Sequence, residues 1–262
     1  MPSASPHAIL RARLDTIQDA PPITGVATGD ELTMVVLEDD RAGVAMLPEG
    51  TIPEVAGESA RAVAKRGIES TDPRERALGV AALNALDAPA DVRPGLDPFR
   101  SLDPATERVA MVGLFAPVLY HLDAGHVDVF ERDPDAMDLP EDLPADIEVA
   151  MHAPESASEI VPESQVLFVT GSTLVYGGLE NYLDAARPDQ TVVIVGASAS
   201  FTPAPLFEAG VDLVGGASVA DIDRLHTEIE AGRSEAQLHD VGLHKWAVLD
   251  PQATDLPGLQ LE

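Results

Sequence analysis

Three short apolar segments in the second half of the chain each end in a glycine, and they constrain its fold more than any other feature. They are 109–113, 166–171 and 192–196. A strand that is buried on both faces is apolar throughout, which is typical of a parallel sheet covered by helices. Ligands of such sheets bind outside the carboxyl ends of the strands. The positions of Gly113, Gly171 and Gly196 therefore predict where a ligand binds.

The rest of the second half alternates between strand and helix patterns. Strands are predicted over 108–113, 127–131, 147–151, 165–170, 191–196 and 211–215. Helices are predicted over 114–124, 156–161, 177–186, 203–209 and 219–231. Alternation at this spacing indicates right-handed crossovers between parallel strands. We therefore expect residues 104–262 to form an α/β domain, a doubly wound parallel sheet with the three glycines at one edge.

The first hundred residues have a different pattern. Strands are predicted over 23–27, 31–38 and 42–47, and the short turns between them favour an antiparallel meander. Helices are predicted over 7–17, 53–66 and 72–86. Asp72 and Pro73 supply an N-cap and a first-turn proline for the last helix. Residues 1–103 are expected to form an α+β domain, whose Pro- and Asp-rich stretch 88–103 serves as a linker.

Gly113 and Glu131 form the first pair of candidate ligand-binding residues. An acidic residue at the end of the second strand is where Rossmann-type domains hold a ribose hydroxyl. The turn after Gly113 has Phe115 in place of the second glycine of the dinucleotide fingerprint, so dinucleotide binding is not favoured. The alternative is structural: Gly113 eases a tight turn, and Glu131 is a solvated strand end.

Small hydroxyl residues follow two of the predicted strands. Ser172 and Thr173 come after Gly171, and Ser198 comes soon after Gly196. These residues can cap the helices that follow, or they can present N–H and O–H donors to a ligand. Two such loops at one sheet edge favour a ligand site. The histidines do not have the spacing of a helical metal-binding motif, and neither a nucleophile elbow nor a Walker A sequence is present.

Composition excludes several classes of function. The chain has 45 acidic residues against 16 Lys and Arg, for a formal net charge of −29, and no cysteine. Nucleic-acid binding needs clustered Lys and Arg side chains, which the chain lacks. Thiolate metal sites and disulfides need cysteine, so both are excluded. No apolar leader or membrane-spanning stretch is found in the sequence. We expect a cytoplasmic protein with no nucleic-acid or membrane partner.

The chain resembles the DUF364 family of two-domain proteins, to which heavy-metal chelation has been ascribed. The motifs that carry the resemblance are Met111–Pro117, Phe130–Pro134, Thr170–Val175, Val195–Ser198, Leu206–Asp212 and Gly215–Gly216, together with Leu78–Ala85 in the first half. The resemblance implies an N-terminal domain like that of enolase, a C-terminal Rossmann-like domain and a ligand site between them. It adds Asn84 to the candidate ligand-binding residues.

Two departures from the family pattern fall next to the candidate site. Tyr176 and Gly178 stand where the family usually has Asn and Thr, so this chain is expected to bind a different ligand or to bind it less tightly. The acidic, lysine-poor composition also resembles that of haloarchaeal cytoplasmic proteins. A halophilic protein is expected, because salt screens the repulsion between its carboxylates.

These features lead to three hypotheses for function. The first is a small-ligand-binding protein that chelates a heavy metal or a metal-bearing molecule at an interdomain cleft. The second is an enzyme acting on an anionic or nucleotide-like small molecule. The third is a structural protein whose cleft has lost its ligand. The expected partner is a small molecule or metal ligand. A metal ion is the one cofactor considered. Whether the protein forms a homo-oligomer is left open.

Overall fold

The computed structural model describes residues 5–18, 20–122, 124–140, 142–145 and 147–261. Its first half contains an antiparallel sheet of three strands, β1 (Ile23–Thr28), β2 (Leu32–Leu37) and β3 (Ala42–Met46). Three helices accompany them: α1 (Pro6–Leu14), α2 (Ala60–Glu69) and α3 (Pro73–Leu86). The expected meander is therefore confirmed, and so is the presence of three helices, although the bounds of the first two differ from those expected. Asp72 caps α3, since its carboxylate accepts the Arg74 amide at 2.9 Å.

The second half is built on a sheet of eight strands. They are β4 (Arg93–Pro94), β5 (Arg108–Val112), β6 (His126–Phe130), β7 (Glu148–His152), β8 (Val166–Thr170), β9 (Thr191–Val195), β10 (Leu213–Val219) and β11 (Leu243–Leu249). Their order is β4-β11-β10-β9-β8-β5-β6-β7, with all pairs from β10 to β7 parallel. Numbered in chain order, the six parallel strands have the Rossmann arrangement 3-2-1-4-5-6. The predicted α/β fold is confirmed.

Short helices connect the strands of the large sheet. They are α4 (Ala116–Leu119), α5 (Ala157–Ile160), α6 (Thr173–Tyr176), α7 (Leu179–Ala185), α8 (Ala204–Glu208), α9 (Ile222–Glu230) and α10 (Glu235–Leu238). No helix in the described part of the chain is long and apolar enough to cross a membrane.

Several helix predictions were wrong in extent. The helix expected over 114–124 is only one turn, α4, which begins at Ala116. The helix expected over 177–186 begins only at Leu179, as α7. Gly177 and Gly178 have φ of +91° and +88°, and these positive values separate α7 from the preceding α6. In the first half, Gly57 at φ +81° delays the start of α2 to Ala60.

The segment 88–103 is more ordered than the expected linker. Its β4 strand pairs with β11, which itself was not predicted from the sequence. Phe99 and Leu102 are 8% and 6% exposed and belong to the core on one face of the large sheet. The segment therefore forms an edge of the large sheet as well as a connection.

One hydrophobic core joins the two halves of the chain. It contains residues of α1, α2 and α3, such as Leu10, Val63 and Leu83, together with Val169 and Ile194 of the large sheet. The three helices therefore cover one face of the parallel strands.

Candidate functional site

A cavity of about 580 Å³ opens where the order of the parallel strands reverses. At this point β5 and β8 are neighbours. The chain continues from β5 to β6 on one side and from β8 to β9 on the other. The six polar residues that matter most in its lining are Glu131, Arg132, Ser172, Thr173, Tyr182 and Glu235. Met46, at the end of β3, is part of the wall. We call this space the switch-point cavity; ligands of open α/β sheets bind at such positions.

The three glycines lie at one sheet edge, as expected. Gly113 has φ of +84°, and a Cβ there would lie 3.0 Å from Cγ2 of Thr170. A Cβ on Gly171 would lie 3.2 Å from the carbonyl oxygen of Gly196. The loops after β5, β8 and β9 are thus packed closely together. Gly113 and Gly196 line the cavity, and Gly171 lies outside its lining.

Glu131 lines the cavity immediately after β6. Its Oε1 accepts the backbone N–H of Leu114 at 2.7 Å, which ties the turn after β5 to the end of β6. Its Oε2 has no hydrogen bond to a described residue. One carboxylate oxygen therefore supports the turn, and the other is available to a ligand.

The hydroxyl loop after β8 also faces the cavity. The Thr170 hydroxyl donates to the Ser172 hydroxyl at 3.1 Å, and the Thr173 hydroxyl donates to the Thr170 carbonyl at 2.8 Å. Ser172 makes no side-chain cap to α6. The Ser172 hydroxyl therefore does not cap α6. Ser172 and Thr173 both line the cavity.

Asn84 and Ser198 lie away from the cavity lining, in the contact between the two sheets. Asn84 Nδ2 lies 2.8, 3.2 and 3.3 Å from the carbonyl oxygens of Val44, Ala197 and Ser198. The Ser198 hydroxyl accepts the Met46 amide. The two side chains are buried, with residue exposures of 4% and 2%. In this arrangement both hold β3 against the loop that follows β9.

Two cavity residues were missed from the sequence. Tyr182 on α7 is 4% exposed, and its ring packs edge-on against Phe130 at 5.5 Å. Its hydroxyl has no hydrogen bond to a described residue. Burial, together with the carboxylates of Glu131 and Glu155, raises the pKa of Tyr182 to about 12, so the phenol is a proton donor at neutral pH.

Glu235 was missed because it lies far along the chain, at the start of α10, in no recognisable motif. Its carboxylate accepts the Ala197 amide at 3.3 Å, and its own amide donates to Glu31 of the first half. Burial raises the pKa of Glu235, although its side chain retains 26% of its exposure. The cavity therefore has an acid on each of two walls.

Arg132 is the single base among the residues that line the switch-point cavity. Its guanidinium stacks over the ring of Tyr176, 4.0 Å from the centroid. Tyr176 is one of the residues expected, from the resemblance, to depart from the family pattern. The contact is a cation–π interaction between the Tyr176 ring and the cation of the cavity.

The donor set does not fit direct chelation of a bare heavy-metal ion. Within the described residues there is no group of three or more His, Asp or Glu side chains that could hold a metal ion. The chain has no cysteine to provide thiolates, the preferred ligands of soft metals. Glu131 and Glu235 each accept a hydrogen bond from a backbone amide through one carboxylate oxygen, so that oxygen is already occupied.

The sheet and cavity together define an α/β protein of Rossmann-like topology with a ligand-sized site at the strand reversal. A family model, DUF364, described as "Putative heavy-metal chelation", matches residues 97–247. A second model with the same description, DUF4213, matches residues 11–86. The chain belongs to the DUF364 family.

Two solved structures have the same fold along nearly their whole length. A DUF364-family protein of unknown function from Pyrococcus horikoshii is 21% identical with a TM-score of 0.72, covering 92% of this chain and 98% of its own. A second, from Desulfitobacterium hafniense DCB-2, is 19% identical with the same TM-score and coverage. At these identities the similarity shows the fold alone. A comparison with curated proteins gave no match.

Proposed function

We propose that this protein binds a small organic molecule in the switch-point cavity, and that any metal ion it handles enters as a complex with that molecule. The observation that carries the proposal is that Glu131 lines a cavity of about 580 Å³ at the strand reversal and accepts from the backbone through Oε1, which leaves Oε2 without a protein donor. Cavities of this size accommodate small ligands. The family description supports a metal-bearing ligand, and the donor set favours a ligand that supplies most of the metal's donor atoms itself.

An enzyme acting on a nucleotide-like molecule is the second candidate. It is favoured by the position of Glu131 at the end of the second parallel strand, where Rossmann-type proteins hold a ribose hydroxyl. Both candidates place the ligand in the same cavity. They differ in whether the molecule is released unchanged.

The test is to identify what the protein retains when it is purified from its own host. Native mass spectrometry would be applied to the wild type, to Glu131→Gln and to the control Glu159→Gln. The Gln at 131 keeps an acceptor for the Leu114 amide but loses the charge, whereas Glu159 is exposed on α5. We expect the wild type and the control to carry the same organic molecule and Glu131→Gln to carry less than a tenth as much.

Elemental analysis of the same samples distinguishes binding of a metal complex from direct chelation of a metal ion. Metal that leaves together with the organic molecule supports binding of a complex. Metal that stays after the organic molecule has been removed would show direct chelation and contradict the proposal. Equal retention of the molecule by all three proteins would exclude the cavity as its site.

A further inference from the structure

Strand β7 leaves one row of its backbone groups without a protein partner. It is the last strand of the large sheet, and its one neighbour in the described part of the chain is β6. The Glu148 amide and the His152 carbonyl bond to residues that flank β6, at 2.9 and 3.0 Å. Successive residues of a strand turn their N–H and C=O groups to opposite sides, so those of Val149 and Met151 face outwards. Such a row is a template for another strand.

The opposite edge of the large sheet is blocked. Its outer strand, β4, has two residues and ends in Pro94, which has no N–H to donate. In contrast, β7 has five residues and no proline. Of these two edges, β7 is therefore the one that can extend the sheet.

The sequence of β7 is complementary to itself when two copies run antiparallel. A two-fold axis through Ala150 places Glu148 of each copy opposite His152 of the other. The same axis places Val149 opposite Met151. Because the backbone groups of these two residues face outwards, each such pair exchanges two backbone hydrogen bonds. Every position of the strand thus meets a residue of matching chemistry.

Charge favours this register. The Glu148 side chain is 79% exposed, and it lies on the same face of the sheet as His152. His152 Nε2 lies 2.8 Å from the buried carboxylate of Asp128, which holds the ring in place. A protonated imidazole donates from both nitrogens, so His152 can bind Asp128 and Glu148 of the second copy together. A two-fold axis at either neighbouring residue would separate this pair.

Apolar contact supports the pairing on the other face. Val149 and Met151 are partly buried and pack against the core that holds Val127 and Val129. The same residues of a second copy would cover part of the surface that remains exposed. Burial of apolar surface favours association.

We propose that β7 pairs with β7 of a second copy of this chain, in an antiparallel register centred on Ala150, so that the two large sheets become continuous. The result is a closed two-fold dimer, since each copy uses this edge once. The net charge of −29 on each chain opposes association in dilute salt, and salt screens the repulsion, so the dimer forms in molar KCl. No residue of β7 lines the switch-point cavity, and the dimer is independent of the proposed function.

Disulfide cross-linking tests the register, because the chain has no cysteine of its own. Residue 150 of each copy forms a pair without backbone hydrogen bonds, in which the Cα atoms lie about 4.5 Å apart. This separation allows a disulfide. Ala150→Cys in molar KCl should therefore give a covalent dimer when diamide oxidises the two thiols.

Ala153→Cys is the matched control for the cross-link. It is partly exposed, like Ala150, and lies just beyond the end of β7. In the proposed register its two copies are six residues apart along the strands, which is about 20 Å. This variant should stay without a cross-link under the same conditions.

Light scattering measures the association itself. In about 2 M KCl, where charge repulsion is screened, the wild type should have twice the monomer mass at micromolar concentrations. Val149→Pro removes an outward N–H and leaves the bonds to β6, so it should weaken dimerisation about tenfold or more. Val149→Thr keeps both the N–H and the shape of the side chain, and it should dimerise like the wild type.

Three results would each overturn the proposal. The first is a monomer mass in molar KCl at every concentration. The second is cross-linking of Ala150→Cys that is no faster than that of Ala153→Cys, which decides the matter even if Val149→Pro fails to fold. The third is a dimer that a folded Val149→Pro leaves unweakened, since its interface would lie elsewhere.

Discussion

The Ser198 hydroxyl accepts a hydrogen bond from the Met46 amide at 2.9 Å, and this bond links the two sheets of the protein. Met46 ends β3, and Ser198 lies in the turn after β9. Asn84 reinforces the link, because its amide donates to carbonyls on both sides of the contact. Met46 also lines the switch-point cavity, so this contact between the two halves of the chain holds one part of its wall.

The first prediction concerns Asn84. Asn84→Ala removes the donor from the Val44 and Ala197 carbonyls in a buried environment, so we expect the free energy of unfolding to fall by about 1–3 kcal/mol. Urea denaturation measures the change. Asn181→Ala, at an exposed position on α7, is the matched control and should change stability little. A stable Asn84→Ala variant with weakened ligand binding would instead support a direct role for Asn84 in the site.

The second prediction concerns Glu235. Its pKa is raised by burial, so the ionised form costs stability at every pH above its ordinary pKa of 4.5. Glu235→Gln keeps an acceptor for the Ala197 amide and removes the charge. We expect this variant to be more stable than the wild type at pH 7, with the difference vanishing as the pH falls below about 4.5. Thermal denaturation across this pH range would reveal the trend; a less stable variant at pH 7 would contradict it.

The third prediction concerns Asp87. Burial alone would raise the pKa of Asp87, but hydrogen bonds from Arg13 and Thr202 lower it below its ordinary value of 3.8. The carboxylate therefore contributes stability that is fully present above that value and is lost as the pH falls through the folded-state pKa. Asp87→Asn should cost about 1.5–3 kcal/mol at pH 7 and less below pH 4. Chemical denaturation at pH 7 and below pH 4 would show whether the difference in unfolding free energy between the wild type and Asp87→Asn becomes smaller. Asp91→Asn, at an exposed position, is the control.

The fourth prediction concerns salt. With a formal net charge of −29 on 262 residues, repulsion between carboxylates opposes the compact state when ions are scarce. At about 1 M salt the Debye length is about 3 Å, so this repulsion is screened. We expect the thermal midpoint to rise steeply with KCl into the molar range. Sucrose at matched viscosity serves as the control, and a midpoint that does not respond to KCl would contradict the halophilic interpretation.

Local sequence predicted the parallel sheet well because its central strands are buried on both faces. Val166–Thr170 and Thr191–Val195 are apolar along almost their entire length. Their short length, their β-branched residues and the glycine after each favour a strand over a helix. Strand β11, which lies between β4 and β10, was not predicted. It contains His244 and Lys245, which are exposed, and therefore lacks a continuous apolar signal.

The candidate site was only partly predictable. Gly113 and Glu131 end predicted strands and Ser172 follows one, and parallel topology alone places them at one edge. Tyr182 and Glu235 reach the cavity through helix packing, which no local pattern encodes. The position of Asn84 in the contact between the sheets depends on β3 and the Ser198 turn meeting in space.

The bond between Met46 and Ser198 also bears on the kinetics of ligand exchange. A hinge motion that moved Met46 away from the large sheet would break this bond, separate Asn84 from the carbonyls of Ala197 and Ser198 and open the shared core. These contacts favour cavity walls that stay in place, so we expect a ligand of the proposed site to enter through the existing mouth without a preceding conformational step. Capture is then a single bimolecular event, whose observed rate rises linearly with ligand concentration and reaches no plateau.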